Sequence, residues 1–108
     1  MATFNEREKA FEAKFAHDQD LKFKAEARRN NLLGEWVAEK LGITGDAVAD
    51  YKKEVRRADL EEAGDDDVFR KVRADLDAKG VEVSDQELRE VMVNFLAEAV
   101  AQIESSKG

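Results

Sequence analysis

Gly42, Gly64 and Gly80 each fall directly behind an apolar-spaced run, VAEKL, LEEA and LDAK, in a chain that holds no proline. Glycine is the residue that closes helices in the left-handed conformation, and proline is the residue that breaks them. A sequence with stops of this kind and nothing to interrupt the stretches between them has little choice but to be helical. The contacts that should close two of these ends are also present. Ile43 can return to Val37, and Val81 to Leu76 in a Schellman arrangement.

The starts are marked too. Ser84 and Glu87 form a capping box, with Val83 and Leu88 as its hydrophobic staple. Thr44 can cap a helix with Ile43 and Val48 as staple, and Asp65, Asp66 and Asp67 place negative charge at the start of another. Thr3 and Glu6 make a further capping box near the beginning of the chain. Apolar residues then recur at three- and four-residue steps. Leu21, Ala25, Leu32, Leu33, Trp36, Val37 and Leu41 make one stripe, and Val48, Tyr51, Val55, Ala58 and Leu60 a second. Val68, Phe69, Val72 and Leu76 make a third. The run Leu88, Val91, Met92, Phe95, Leu96, Ala99, Val100, Ile103 is the widest. Short connections favour antiparallel neighbours, so the expectation is all-α, a small antiparallel four-helix bundle occupying residues 20–108. Its helices are expected at about 20–41, 44–63, 65–79 and 84–104.

That leaves residues 1–19. A single helix from Thr3 to Leu41 would be nearly 60 Å long, about twice its partners. Three of the six phenylalanines, Phe4, Phe11 and Phe15, lie in this leading segment and within about 40° of one another on a helical wheel. Asp18 and Lys22 then occupy the positions that would continue the stripe. The run His17-Asp18-Gln19-Asp20 is a weak helix former with good capping chemistry, so a hinge is expected there. The segment reads as an N-terminal amphipathic helical arm, marginal alone in water. Covering three Phe side chains would contribute about 5–9 kcal/mol gross. Ordering the segment would return about 2–5 kcal/mol of that. Helix-in-groove recognition by another molecule is one outcome; folding back onto its own bundle is the other. The reading preferred from length is that the rings are left over once the bundle closes.

Composition limits the function classes. The net charge of −7 opposes phosphate-backbone binding, and no segment forms a basic face large enough for nucleic acid. No apolar run approaches the roughly 20 residues of a membrane span, so no membrane insertion is expected. Cysteine is absent, which excludes disulfides and thiolate metal sites and suits a reducing, cytoplasmic setting. One histidine, no cysteine and a serine already used as a cap give catalysis little to work with. No catalytic residues, metal site or cofactor are expected: His17 reads as a solvated or capping residue, and Asp65–Asp67 lack the spacing of a calcium loop.

Arg28-Arg29 and Arg56-Arg57 lie at matching distances from the turn near Ile43, so an antiparallel hairpin brings both pairs to similar height. Together they could hold a nucleotide or another anion. The plainer reading is that Glu26, Glu54, Asp59 or Asp75 neutralise them. Gly34, inside the first bundle helix, reads as a point of close helix approach.

Three stretches, FNEREKAFEAKFAHD, FKAEARRNNLLGEWVAEKLG and EEAGDDDVFRKVRADL, resemble the zeta-subunit inhibitors of alphaproteobacterial F-type ATP synthases. The similarity runs from Thr3 to about Phe95, although Asn31 stands where that pattern has lysine. The resemblance implies a non-enzymatic inhibitor of the F1-ATPase, monomeric when free and peripheral to the membrane. It implies an N-terminal helix that enters a catalytic subunit interface and blocks rotation in the hydrolytic direction. By position the inhibitory role falls on Phe4, Arg7, Glu8, Phe11, Glu12, Lys14 and Phe15. A nucleotide-binding helical sensor and a general protein–protein adaptor are the alternative readings.

Overall fold

The computed structural model describes residues 4–61 and 65–106, with side chains from residue 6 onward. It is all-helical, and no strand occurs among the described residues. The helices are α1 (Phe4–His17), α2 (Gln19–Leu41), α3 (Asp46–Ala58), α4 (Asp66–Ala78) and α5 (Asp85–Ser106). Helix α2 packs against α3, α4 and α5; α3 packs on α4, and α4 on α5. Helix α1 lies against α5 and α2, within a body measuring 38 × 29 × 26 Å.

Local chemistry sets these boundaries. Gly42 takes φ 76° and Gly80 φ 73°, conformations that cost a residue with a Cβ. Behind them the Ile43 N–H donates to Ala38 O and the Val81 N–H to Leu76 O, both at 2.9 Å, as Schellman closures require. The Glu87 N–H donates to Ser84 Oγ at 3.1 Å, the expected start of α5. Thr44 does not cap α3. Gly45 stands at the N-cap with φ 64° and its carbonyl accepts from the Val48 N–H, so the helix begins two residues later than the spacing suggested. The Thr3 cap and the Gly64 stop lie outside the described residues.

Helix α3 also ends early, at Ala58. Its last turn closes through Asp59 and Leu60, and Leu60 points away from the core it was expected to join. Its place is not needed. The main core already closes over Leu33, Val37, Tyr51, Val55, Val68, Val72, Leu76, Leu88 and Met92. Tyr51 keeps its polar end satisfied by donating to Asp75 Oδ2 at 2.7 Å. Burial first, and that hydrogen bond second, push its phenol well above the ordinary value.

Gly34 is where α2 and α3 come closest. A Cβ there would sit 2.9 Å from Lys52 Cγ and 3.1 Å from Lys52 Cα. The side chain can bend aside; the backbone atom cannot. Alanine gains about 1 kcal/mol of helix propensity over glycine, but overpacking a tight contact costs about 1–3 kcal/mol. Gly34→Ala is therefore expected to lose about 1 kcal/mol net, read as a lower urea midpoint with an unchanged slope.

Candidate functional site

The N-terminal helix is the candidate site, and its geometry begins at Asp18. That residue leaves the helical region (φ −143°, ψ 87°), and its side chain accepts a hydrogen bond from the Leu21 N–H at 3.0 Å. One aspartate thus ends α1 and caps α2, as a residue with a short acceptor side chain does well. The chain turns here, at the position the weak helix formers marked, and α1 folds back along the body.

The face it presents is the aromatic one. Phe15 is 6% exposed and belongs to a second, smaller core with Leu21, Ala25, Leu96, Ala99, Val100 and Ile103. Phe11 is half-buried against that cluster and stacks on Phe15, with ring centroids 6.0 Å apart. The expectation that these rings are left over after the bundle closes is corrected here. The N-terminal half of α2 and the C-terminal half of α5 carry apolar residues, and α1 covers them. The Phe4 side chain lies outside the described residues.

Polar residues of α1 edge the same contact. Lys14 Nζ meets Glu104 Oε1 of α5 at 2.8 Å, an exposed pair that fixes register more than it adds stability. Arg7 and Glu8 are half-buried, and Glu12 is exposed. Glu8 overlooks a hollow of about 330 Å³ between α1 and the rest, whose walls include Phe11, Glu26, Asp65, Asp66 and Arg89. Partial burial raises the Glu8 carboxyl above its ordinary value, and Asp65, Glu12 and Asp66 add to the rise while Arg89 opposes it. His17 is exposed at the last turn.

Beneath that hollow sits a charge cluster. Arg29 is fully buried (0% exposed). Its Nε donates to Asn30 Oδ1 at 2.8 Å, and its terminal nitrogens lie 3.0 Å from Asp65 Oδ1 and 3.8 Å from Asp59 Oδ1. Asn30 Nδ2 donates in turn to Asp59 Oδ2 at 2.9 Å. Oxygens of Glu26, Asp59 and Asp65 all fall within 4.8 Å of one another. Burial raises both the Glu26 and the Asp59 carboxyls, and Arg29 counteracts the rise in each. The guanidinium fills the role a cation would have among these three carboxylates.

The paired arginines consequently do not meet at one surface point. Arg29 is turned inward. Arg28 is exposed and donates to Gln102 Oε1 of α5 at 3.2 Å, Arg56 donates to Asn31 Oδ1, and Arg57 is exposed. Of the acids expected to neutralise them, Asp59 does reach Arg29, whereas Glu54 and Asp75 hold Lys71. Residue spacing marks Asp65 only as a helix-start residue. Its pairing with Arg29 depends on the turn between α3 and α4, which residue spacing does not describe.

These features define an all-helical protein whose apolar-faced terminal helix folds back on a helical body. A family model described as ATPase inhibitor subunit zeta matches residues 1–102, and the chain belongs to that family. ATPase inhibition is thus its function in general terms, the F1 sector of ATP synthase is its partner, and the chain is a regulator and not a catalyst. One similar solved structure, a solution NMR structure, is 49% identical with a TM-score of 0.69, covering 80% of this chain and 98% of its own. No curated protein matches the chain. Among the described residues no helix is long and apolar enough to cross a membrane.

Proposed function

We propose that the chain inhibits F1 by inserting α1 at a catalytic subunit interface, where it blocks rotation in the direction of ATP hydrolysis. In this reading α2–α5 are the four-helix bundle that stays outside, and the first 19 residues are a releasable arm. Phe4, Phe11 and Phe15 fill apolar grooves of the partner, while Arg7, Glu8, Glu12 and Lys14 set register at the rim.

The observation that supports this most is that α1 is a separate helix, divided from α2 at Asp18 and held by a small satellite core. Its apolar face is already formed and covered. Engagement is then an exchange: the rings leave Leu96, Val100 and Ile103 for the partner's groove, and the partner's contacts must offset the apolar face that α1 uncovers on α2 and α5. Affinity is set by the difference between the two sites. The alternative of a nucleotide- or anion-binding sensor using Arg28, Arg29, Arg56 and Arg57 has less support, because Arg29 is enclosed by carboxylates.

Cross-linking tests release directly. The chain has no cysteine, so Lys14→Cys with Glu104→Cys gives two unique thiols on α1 and α5. A short, reductively cleavable bis-maleimide across them should abolish inhibition of ATP hydrolysis by isolated F1, and cleavage should restore it. Equal inhibition before and after cleavage would show that α1 acts without leaving the body.

A further inference from the structure

Phe23 and Leu60 are 74% and 81% exposed, the large apolar side chains left open among the described residues. Both line one hollow of about 370 Å³ between α2 and the end of α3. Phe23 is also a wall of a neighbouring hollow of about 650 Å³ that reaches Ile103 and Ser106 of α5. Isolated exposed apolar residues are ordinary; two of this size bordering one groove are a patch.

The charge around the patch is opposite to that of the chain. Lys53, Arg56 and Arg57 line the first hollow, and Arg28 lines the second. Arg28 and Arg56 donate to the neutral amide oxygens of Gln102 and Asn31. Lys53 and Arg57, both exposed, have no ion pair among the described residues. Among the described residues these four cations pair with no carboxylate, and they bracket two apolar side chains on a protein of net charge −7. Glu26 and Asp59, on the inner wall, already sit in the field of Arg29.

We propose that this groove is a docking site for an acidic amphipathic helix on the F1 surface, a second contact that holds the body while α1 is engaged. The inference rests on the reading of the chain as an F1 inhibitor and deepens it. A single small anion would use the cations and leave Phe23 and Leu60 bare. Nucleic acid would find too few cations and a repulsive body. A helix with one apolar face and acidic flanks satisfies both kinds of residue at once.

The test uses the full chain and isolated F1. Two variants, Phe23→Ser with Leu60→Ser and Lys53→Glu with Arg57→Glu, alter exposed side chains, so their melting temperatures should match the wild type. Each is expected to raise the Kd for F1 at least tenfold, and the charge reversal should also flatten the salt dependence of binding. Wild-type Kd in both variants, with wild-type inhibition intact, would overturn the groove and leave the inhibitor reading standing. A wild type that neither binds nor inhibits F1 would remove both. Self-association of the wild type that the variants lose, seen by sedimentation velocity, would assign the groove to a second copy and overturn the proposal. Backbone amides around Phe23 that respond to millimolar ATP, with F1 binding unaffected by the variants, would assign it to a nucleotide and do the same.

Discussion

Phe15→Ala is expected to lower the melting temperature by roughly 10–20 °C, the largest loss among the described α1 side chains. The ring is 6% exposed and is the piece of α1 that enters the satellite core of Leu21, Ala25, Leu96, Ala99, Val100 and Ile103. Truncating a buried Phe costs about 3 kcal/mol or more, part transfer and part cavity. For a domain of about 100 residues each kcal/mol moves the midpoint by about 4–8 °C. Phe11→Ala should cost well under half as much, because that ring only leans on the cluster and on Phe15. Calorimetry of the two variants checks the order. The same substitutions should also weaken inhibition of F1, since the face that docks on the body is the face proposed to enter the partner. Equal midpoints for Phe15→Ala and wild type would mean that α1 spends its time off the body, and the exchange argued above would lose its starting state.

Matching the helices by length points the other way. It compares α1 with the helices available to pair with it and finds none left. That comparison treats a bundle as finished once its helices are matched one to one. What decides is the coverage of each apolar stripe along its length. Helices α2 and α5 have 23 and 22 residues, whereas α3 and α4 have 13 each. The long pair therefore overhangs the short pair by several turns, and the overhang carries Leu21, Ala25, Leu96 and Val100. Helix α1, of 14 residues, fits that gap. The missing information was the early end of α3 at Ala58. Leu60 and the glycine beyond suggested a longer helix, and a longer α3 would have left no overhang.

Other features were legible because they depend on neighbours in sequence. The break at Asp18 follows from a stripe that fails and a run of weak helix formers. The closures at Gly42 and Gly80 follow from glycine and the apolar residue behind it. Gly34 as a point of close approach follows from its place inside a helix. The arginine cluster was half legible. Asp59 is one helical face away from the pairs and could be named, whereas Asp65 is brought in by a turn between α3 and α4. Of the exposed pair, Phe23 falls outside the apolar stripe of its helix, but nothing in sequence sets Leu60 beside it. Leu60 looks like core by spacing, and only the end of α3 turns it outward.

The other large effect belongs to Arg29. Replacing it with methionine keeps much of the volume and removes the cation that Glu26, Asp59 and Asp65 surround. Breaking a buried ion pair from one side leaves uncompensated charge, which costs about 3–5 kcal/mol when both partners are enclosed. Asp65 is partly open to solvent, so about 3 kcal/mol is expected at pH 7.5. The pH dependence identifies the cause. Burial already holds Glu26 and Asp59 above the ordinary carboxylate range; Arg29 pulls both back, after the Asn30 hydrogen bond at Asp59 and together with Lys22 at Glu26. Without it both rise further. An acid whose folded pKa exceeds its unfolded value binds protons more tightly when folded, so stability increases as pH falls through that folded value towards the unfolded one. The deficit of Arg29→Met relative to wild type should therefore shrink between pH 7.5 and pH 5, and adding Asp59→Asn with Asp65→Asn should remove most of it at pH 7.5. A deficit that is the same at both pH values would mean a packing loss, not unbalanced charge. No deficit at all would mean that the buried guanidinium has no structural duty among these carboxylates.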